Sequence, residues 1–233
     1  MPAAIITITT MTTTTTEALL LLAWLSPAFP TGGFAWSHGV EWAVEAGDVT
    51  DRASLRCWLD GVIRHGSGRA DAILLRHAHR AASDAAALDA ITELALATQP
   101  SRERRAESTG QGNAFIRAAS AWDNAELAAL AERGDVPYPI AVGALAGHHR
   151  IGEDVTAACF LQAVAANLIS AAVRLVPLGQ TDGLAVLAAL EPAIAAVSAE
   201  TASATLDDLG GAAFRSDLAA FRHETQYTRL FRS

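Results

Sequence analysis

The sequence predicts an all-α protein, a single compact domain of about ten helices. Hydrophobic residues make up 51% of the 233 residues and aromatic residues only 6%, and much of the apolar content is alanine, which has the highest helix propensity. Apolar side chains recur three and four residues apart, whereas no alternating strand pattern and no fixed-period repeat occurs. Proline and glycine clusters divide the chain into segments of helical length.

The N-terminal stretch is rich in threonine, and it has neither the basic region nor the long apolar core of a signal peptide. We expect residues 1–16 to form a disordered tail, within which Met11 is an alternative to Met1 as the start. A short helix is predicted over residues 17–25, because the residue before Pro27 is biased away from the α region.

A turn-rich connection, LSPAFPTGG, covers residues 25–33 and precedes a predicted helix over residues 34–46, with Gly47 after its end. A packing stripe on this helix is formed by Trp36, Val40 and Ala43. An outward face, available to a partner, is formed by Ser37, Glu41 and Glu45. The Gly32-Gly33 pair is either an anion-binding nest or a tight turn between helices, and the lack of a G-x-G-x-x-G pattern favours the turn.

The next helix has Thr50 or Asp51 as its N-cap and an apolar face that reaches Ile63. Sharp breaks follow at HGSG, GDVPYP and VPLGQTD. Further helices are predicted at about 69–82, 85–97, 102–121, 124–132, 138–149, 153–176, 183–190, 192–200 and 211–224.

Residues 155–173 carry no formal charge, and their number is near the lower limit for a membrane span. The alternative is a helix at the centre of the core or in a subunit interface. Gln162, Asn167 and the following Arg174 favour this alternative.

Composition excludes several classes of function. The net charge of −8 argues against non-specific nucleic-acid binding. All 17 basic residues are arginine, so a lysine-dependent P-loop and Schiff-base catalysis are both absent. Cys57 and Cys159 are the only cysteines and lie far apart, which fits a reducing cytoplasm better than a disulfide framework.

Local motifs give little support for an enzyme, since H-E-x-x-H and G-x-S-x-G are both missing. His38 and Glu41 could reach one ion, and a metal-dependent helical hydrolase would add Glu45, but a solvated face gives the same pattern. The arginine-rich stretch 101–115 is either a solvated helix start with Ser101 as N-cap or a contact to phosphate or an acidic partner.

The C-terminal residues combine large apolar side chains with arginine. From Arg215 onward the chain carries a charge of +2, which leaves −10 on the body. Apolar positions with helical spacing are Phe214, Leu218, Phe221, Tyr227, Leu230 and Phe231. Such a segment is either a last helix packed on the body or an element that docks on a partner, because Arg, Tyr and Phe are enriched at interfaces.

Three long motifs, spread over the chain, carry a resemblance to a known family. They are SPAFPTGGFAWSHGVEWAVEAG (26–47), AAVRLVPLGQTDGLAVLAAL (171–190) and RHETQYTRLFRS (222–233). The chain resembles the UreF family of urease accessory proteins, and SRERRAESTGQG (101–112) and YPIAVGALAGHHRI (138–151) are also similar to it. Trp36 stands where the family often has Tyr, and Val40 where Leu is usual.

The resemblance implies an all-α homodimer without catalytic activity and without a cofactor. It implies an adaptor between a scaffold accessory protein, UreD (also called UreH), and the nickel-carrying GTPase UreG. The adaptor would reach the urease apoprotein through this complex. Neither a nucleic acid nor a membrane is expected as a partner. Regulation of the GTPase is an alternative, in which Arg102, Arg105 or Arg174 donates an activating guanidinium.

The resemblance also implies which residues act. The tail 1–16 lies outside the resemblance. The resemblance implies a helical domain over residues 17–214 and a docking segment over residues 215–233, which orders on the scaffold and in which residues 222–233 are the best candidates. Candidate scaffold contacts are Arg222, His223, Glu224, Gln226, Tyr227, Arg229, Leu230, Phe231 and Arg232. Partner-binding or structural positions are Pro30, Gly32, Gly33, Phe34, Trp36, Ser37, Gly39 and Glu41. Structural or dimer positions are Arg174, Pro177, Gly179 and Gln180.

Overall fold

The structure is a computed structural model and describes residues 14–123 and 125–233. These residues form eleven α-helices and three short 3-10 helices, with no strand among them. The α-helices are α1 (Thr15–Trp24), α2 (Val40–Glu45), α3 (Arg52–His65), α4 (Ser67–Arg80), α5 (Ala85–Ala97), α6 (Arg102–Ala118), α7 (Ala125–Arg133), α8 (Tyr138–His148), α9 (Glu153–Leu175), α10 (Gln180–Thr201) and α11 (Phe214–His223). The 3-10 helices are Gly33–Ala35, Ala119–Ala121 and Leu206–Asp208. The predicted all-α fold of about ten helices is confirmed.

Helix α1 begins inside the stretch that the sequence predicts to be a disordered tail. Its N-cap is Thr14, whose hydroxyl accepts from the Glu17 backbone N–H (3.2 Å) while the Glu17 carboxylate accepts from the Thr14 N–H (2.7 Å). This reciprocal capping box satisfies two free donors and fixes the helix start. The rest of the predicted tail, Met11 included, lies outside the described residues.

The helix predicted over residues 34–46 is wrong in its first half. A 3-10 turn covers Gly33–Ala35, and α2 begins only at Val40. The reason is the backbone between them, because His38 and Gly39 have φ angles of 59° and 77°. A left-handed pair of this kind cannot continue a right-handed helix.

Pro192 does not end a helix, although the sequence analysis places a boundary there. Helix α10 runs through it from Gln180 to Thr201. Pro192 lies on the exposed side, and its helix is held by the buried Leu190, Ala193 and Ile194 on the other side. Tertiary packing here outweighs the loss of one backbone hydrogen bond.

Two apolar clusters form the core. The first surrounds the crossing of α4 and α8, and the second lies among α2, α3, α9 and α10. The backbones of α4 and α8 approach closely, since a Cβ placed on Gly143 would lie 2.2 Å from the Leu75 carbonyl oxygen. The glycine and alanine content of the sequence makes this close packing possible.

Helices α9 and α10 are each long and apolar enough, by length and composition, to cross a membrane. In their most apolar stretches 50% and 39% of the residues are buried against other helices of the chain. A core helix of a water-soluble domain passes the same test, so these two helices are weak evidence for a membrane span.

Candidate functional site

The terminal loop, residues 224–233, folds back over the body and pairs with the turn that precedes α2. The Arg232 backbone N–H donates to the Ala35 carbonyl (2.9 Å), and the Ser37 N–H donates to the backbone oxygen of Ser233 (3.0 Å). The Ser37 hydroxyl also donates to that oxygen. The first and the last family-like motifs therefore form one site, and the segment that the resemblance expects to order on the scaffold is folded here on the chain's own body.

Glu41 holds this loop with a single carboxylate. It accepts from the backbone N–H groups of Leu230 (2.7 Å) and Phe231 (3.0 Å), and its own N–H donates to the Ser37 hydroxyl (3.2 Å). Glu41 and Ser37 are only 5% and 0% exposed. The predicted outward face is thus wrong for these two residues, because the chain end covers them, and Glu45 alone is exposed.

His223, at the end of α11, lies between two carboxylates and is completely buried. Its Nδ1 is 2.6 Å from an oxygen of Glu103, and its Nε2 is 3.0 Å from an oxygen of Glu41. Arg229 donates to the second oxygen of Glu103 (2.8 Å). Helices α2, α6 and α11 and the terminal loop meet at these groups, which we name the histidine clasp: Glu41, Glu103, His223 and Arg229.

A second polar group lies beside the clasp. The Ser233 hydroxyl donates to Glu107 (2.8 Å), which also pairs with Arg104 and lies 3.5 Å from His38 Nδ1. Burial opposes ionisation of Glu107, but the charges of Arg104 and His38 and the hydrogen bonds from His38 and Ser233 outweigh it and lower its pKa to about 2. Glu107 is therefore an ionised acceptor under all ordinary conditions.

His38 differs in its surroundings. Burial lowers the pKa of its imidazole, and the charge of Arg104 lowers it further, against the opposing effect of Glu107. Its Nε2 lies 2.7 Å from the Ser67 hydroxyl at the start of α4. This histidine ties the turn before α2 to α4.

Glu224 caps the start of α6. Its carboxylate accepts from the backbone N–H groups of Arg102 (2.9 Å) and Glu103 (3.3 Å), two donors that have no partner within the helix. Ser101, the predicted N-cap, accepts from the Arg104 N–H (3.1 Å). A negative charge at this position is also favoured by the helix dipole.

The outer side of residues 214–233 presents large side chains to solvent. We name this surface the basic apolar face, and its members are Phe214, Leu218, Phe221, Arg222, Tyr227, Arg229, Leu230 and Arg232. Tyr227 is fully exposed, and the four other apolar members are 52–75% exposed. Five large apolar side chains exposed within twenty residues are more than the scattered single ones that a protein surface usually carries, which makes this segment a candidate binding surface.

Two candidate contact residues of this segment point inward instead. Phe231 is 6% exposed, and the Arg174 guanidinium lies 4.4 Å from the centre of its ring. His223 is buried in the clasp. These two residues anchor the segment within the chain, and so do not belong to its free surface.

The elbow before α2 brings further predicted residues to the same place. Gly32 is left-handed, with φ 74°, and Gly33 packs against Asn167 of α9, which donates to its carbonyl (3.2 Å). This is the tight turn between helices that the sequence favours. Phe34 is 72% exposed and its carbonyl accepts from Arg174 (2.9 Å).

Other predicted residues have separate positions. Pro30 is exposed within the elbow. Trp36 is buried beside Arg232, whose guanidinium lies 5.8 Å from its ring. Gly39 approaches α11 so closely that a Cβ would lie 2.8 Å from the Ala220 nitrogen. The last three predicted positions lie exposed at the connection into α10: Pro177, Gly179 and Gln180.

A cavity of about 900 Å³ opens between α1, residues 25–34 and α9. Most of its wall is apolar, and its polar end is formed by His38, Asp71, Arg104 and Glu107. Burial raises the pKa of Asp71 to about 7, with Arg104 opposing and Glu107 adding to the rise.

The buried side of α6 differs from what its sequence predicts. Glu103, Arg104 and Glu107 are 4–8% exposed, whereas a solvated helix start is the interpretation that the sequence favours. The signal was the spacing of Glu103 and Glu107, which places two carboxylates on one face of a helix. Arg102 and Arg105 do lie exposed.

The structure does not assemble the metal site of the hydrolase hypothesis. The Glu41 carboxylate is taken up by the terminal loop and His223, while Glu45 is exposed. Within residues 14–123 and 125–233, no group of three His, Cys, Asp or Glu side chains is placed to hold a metal ion.

Comparison with known proteins agrees with the motifs. The UreF family model matches residues 49–191. The chain is 56% identical over 218 residues to the urease accessory protein UreF of Rhodopseudomonas palustris strain HaA2, covering 91% of this chain and 92% of that protein. It is 56% identical to the UreF of Bradyrhizobium diazoefficiens, covering 91% and 90%. It is 53% identical to the UreF of Methylobacterium sp. strain 4-46, covering 93% and 88%.

These matches extend over nine-tenths of the chain at more than half identity, and the family model matches more than half of its residues. This chain belongs to the UreF family of urease accessory proteins.

Proposed function

We propose that this protein is a non-enzymatic maturation factor for the nickel centre of urease. It acts in the cytoplasm as a homodimeric adaptor between the scaffold accessory protein UreD (UreH) and the nickel-carrying GTPase UreG, and reaches the urease apoprotein through that complex. Family membership supports the urease connection, and the resemblance of the three motifs supports the named partners and the dimer.

The basic apolar face is the observation that carries the adaptor role. The backbone N–H groups of Leu230 and Phe231 are bound by Glu41, which holds the loop backbone in place, while the side chains of Tyr227 and Leu230 point into solvent at 103% and 75% exposure. A fixed backbone with free large side chains lowers the entropy cost of binding. An adaptor needs a surface of this kind rather than a nucleophile.

The charge of the docking segment indicates which kind of partner surface it binds. The docking segment carries +2 on a body of −10, so the segment is attracted to an acidic surface that the body repels. Charge complementarity of this sort orients partners and raises the association rate more than the affinity. We therefore assign the scaffold to the docking segment, and leave the acidic body for the other partners.

Co-purification with the scaffold protein tests this assignment. We expect the double variant Tyr227→Ser, Leu230→Ser to lose capture of UreD (UreH) by about tenfold or more, because central aromatic and aliphatic anchors contribute most of an interface's binding energy. The control is Leu184→Ser on α10, which removes a side chain that is also 67% exposed. Equal capture by the double variant and the control would refute the docking role.

Regulation of the GTPase is the alternative function, and its exposed candidate donors are Arg102 and Arg105. The Arg102 side chain is 80% exposed and lies 3.5 Å from Glu224, whereas Arg174 donates to the Phe34 carbonyl and lies over the Phe231 ring. GTP turnover by UreG, measured with the native chain and with Arg102→Ala, separates a regulator from an adaptor.

A further inference from the structure

His223 has an arrangement that fixes its charge. Both ring nitrogens face carboxylate oxygens, at 2.6 Å and 3.0 Å. An ionised carboxylate only accepts hydrogen bonds, and a neutral imidazole carries one N–H donor and one bare nitrogen. If His223 were neutral, the lone pair of its unprotonated ring nitrogen would face a lone pair of a carboxylate oxygen. This contact is repulsive, and no solvent reaches the site to relieve it.

The two carboxylates act as acceptors for other groups as well. Glu41 accepts from two consecutive backbone N–H groups of the terminal loop. Glu103 accepts from Arg229 (2.8 Å). Imidazole is more basic than a carboxylate, so the proton that the two short contacts require belongs on the ring.

Charge balance agrees with a positively charged ring. The clasp contains two carboxylates, one from α2 and one from α6, and the guanidinium of Arg229 from the terminal loop. Arg102 and Glu224 form a separate pair at the start of α6, 3.5 Å apart. With His223 as imidazolium the clasp is neutral, and with a neutral ring it holds one uncompensated negative charge in a buried site.

The clasp holds the middle of the terminal loop, and the chain end has further polar contacts of its own with Ala35, Ser37 and Glu107. In the terminal loop only Phe231 and Ser233 are buried, while its other large side chains lie in solvent. The loop is thus held mainly by hydrogen bonds and ion pairs, so local opening costs far less than global unfolding. Helix α11 keeps its own contacts with α2 and α6.

We propose that His223, held as an imidazolium, is the positioning residue that keeps the terminal loop folded on the body and sets the presentation of the basic apolar face. Removal of its charge releases residues 224–233 while the helical body stays folded. The regulatory part of this inference rests on the proposed docking function, whereas the clasp itself is a property of the isolated chain.

Amide hydrogen exchange of the isolated chain tests the clasp. In His223→Gln we expect the Leu230 and Phe231 amides, which donate to Glu41, to exchange at least tenfold faster, with the α4 and α8 amides unchanged. The matched control is His65→Gln, which removes an exposed histidine at the end of α3 and should leave all these rates as they are. Unchanged exchange at Leu230 and Phe231 in His223→Gln overturns the proposal, and so does faster exchange throughout the body.

Two further measurements distinguish a charged clasp from simple packing. In the native chain, nitrogen-15 spectra of the imidazole should show protons on both ring nitrogens of His223, and a ring with one protonated nitrogen overturns the proposal even if the variant fails to fold. In the double variant Glu103→Gln, His223→Gln the clasp loses one charge of each sign, so the exchange of Leu230 and Phe231 should slow again relative to His223→Gln. No recovery in that double variant contradicts the charge-based account.

Scaffold capture by His223→Gln is measured separately. Faster exchange in His223→Gln together with weaker capture supports both proposals. Loss of capture in the Tyr227, Leu230 double variant with normal exchange in His223→Gln refutes the clasp alone. Faster exchange in His223→Gln with normal capture in that double variant refutes the docking function alone.

Discussion

At the scale of single residues, Asp71 is the carboxyl group whose position is least favourable to its charge. It lies at the polar end of the cavity, where burial raises its pKa to about 7 against the attraction of Arg104. An unfolded chain would release this proton near the ordinary value of 3.8. The folded chain thus binds more protons than the unfolded chain between these two values.

The sign of the resulting pH dependence follows from proton linkage. The free energy of unfolding should fall as the pH rises from about 4 to about 7 because of this group, and its contribution should be level above that. Asp71→Asn cannot ionise, so we expect it to melt about 2–4 °C above the native chain at pH 8 and to lose this advantage near pH 4.

Thermal melting at several pH values measures this difference between the two chains. Asp207→Asn, a change at an exposed aspartate, should follow the native chain at every pH. If Asp71→Asn raised the melting temperature by the same amount at pH 4 and at pH 8, ionisation of the Asp71 carboxyl would not be the cause of the difference.

At the scale of elements, the crossing of α4 and α8 depends on glycine. A Cβ on Gly143 would lie 2.2 Å from the Leu75 carbonyl oxygen, so a methyl group there must push two backbones apart. We expect Gly143→Ala to lower the free energy of unfolding by ~2–3 kcal/mol, in spite of the better helix propensity of alanine.

Chemical denaturation of two variants checks this prediction. Gly61 lies inside α3 with no atom within 4 Å of a Cβ, so Gly61→Ala should raise the free energy of unfolding by ~0.5–1 kcal/mol. Opposite signs for the two substitutions confirm that contact, and not propensity, decides at Gly143. Equal signs would contradict the close crossing of the helices.

The same scale shows which elements can be predicted from sequence. Helix α3 could be predicted, because its N-cap at Asp51 and its apolar face indicate the same helix. Helix α2 could not, because its start at Val40 follows the left-handed pair His38 and Gly39, in a turn that also pairs with Ser233, 196 positions from Ser37 in the chain. Local patterns carry no information about such a partner.

At the scale of the whole molecule, the candidate site consists of three distant stretches: residues 34–41, residues 101–107 and the docking segment. Each stretch could be recognised in the sequence, and the composition of the tail left two alternatives open, a last helix packed on the body or a docking element. The contact between the three stretches could not be predicted, because the polar residues that join them, such as Glu41 and Glu103, have the sequence pattern of solvated helix positions. Their burial depends on the chain end, which covers them in the folded structure. Burial of charge is a property of the assembled fold.

The last prediction concerns the charge asymmetry of the molecule. If the +2 docking segment meets an acidic scaffold surface, association should slow as salt rises, because screening shortens the range of the attraction. In the double variant Arg222→Gln, Arg232→Gln we expect the association rate at low salt to fall by about tenfold, with a smaller change in dissociation.

Binding kinetics at two salt concentrations decide whether this steering exists. Arg56→Gln on α3 removes a charge that is also exposed, but lies on the body, and should leave the association rate unchanged. The clasp members Glu41, Glu103 and Arg229 stay intact in both variants, so we expect the terminal loop to stay ordered, with its outward charge and the contact of Arg232 with the Trp36 ring removed. A rate that depends neither on salt nor on Arg222 and Arg232 would assign the binding energy of the face to its apolar side chains alone, and the arginines would then serve only to keep that face soluble.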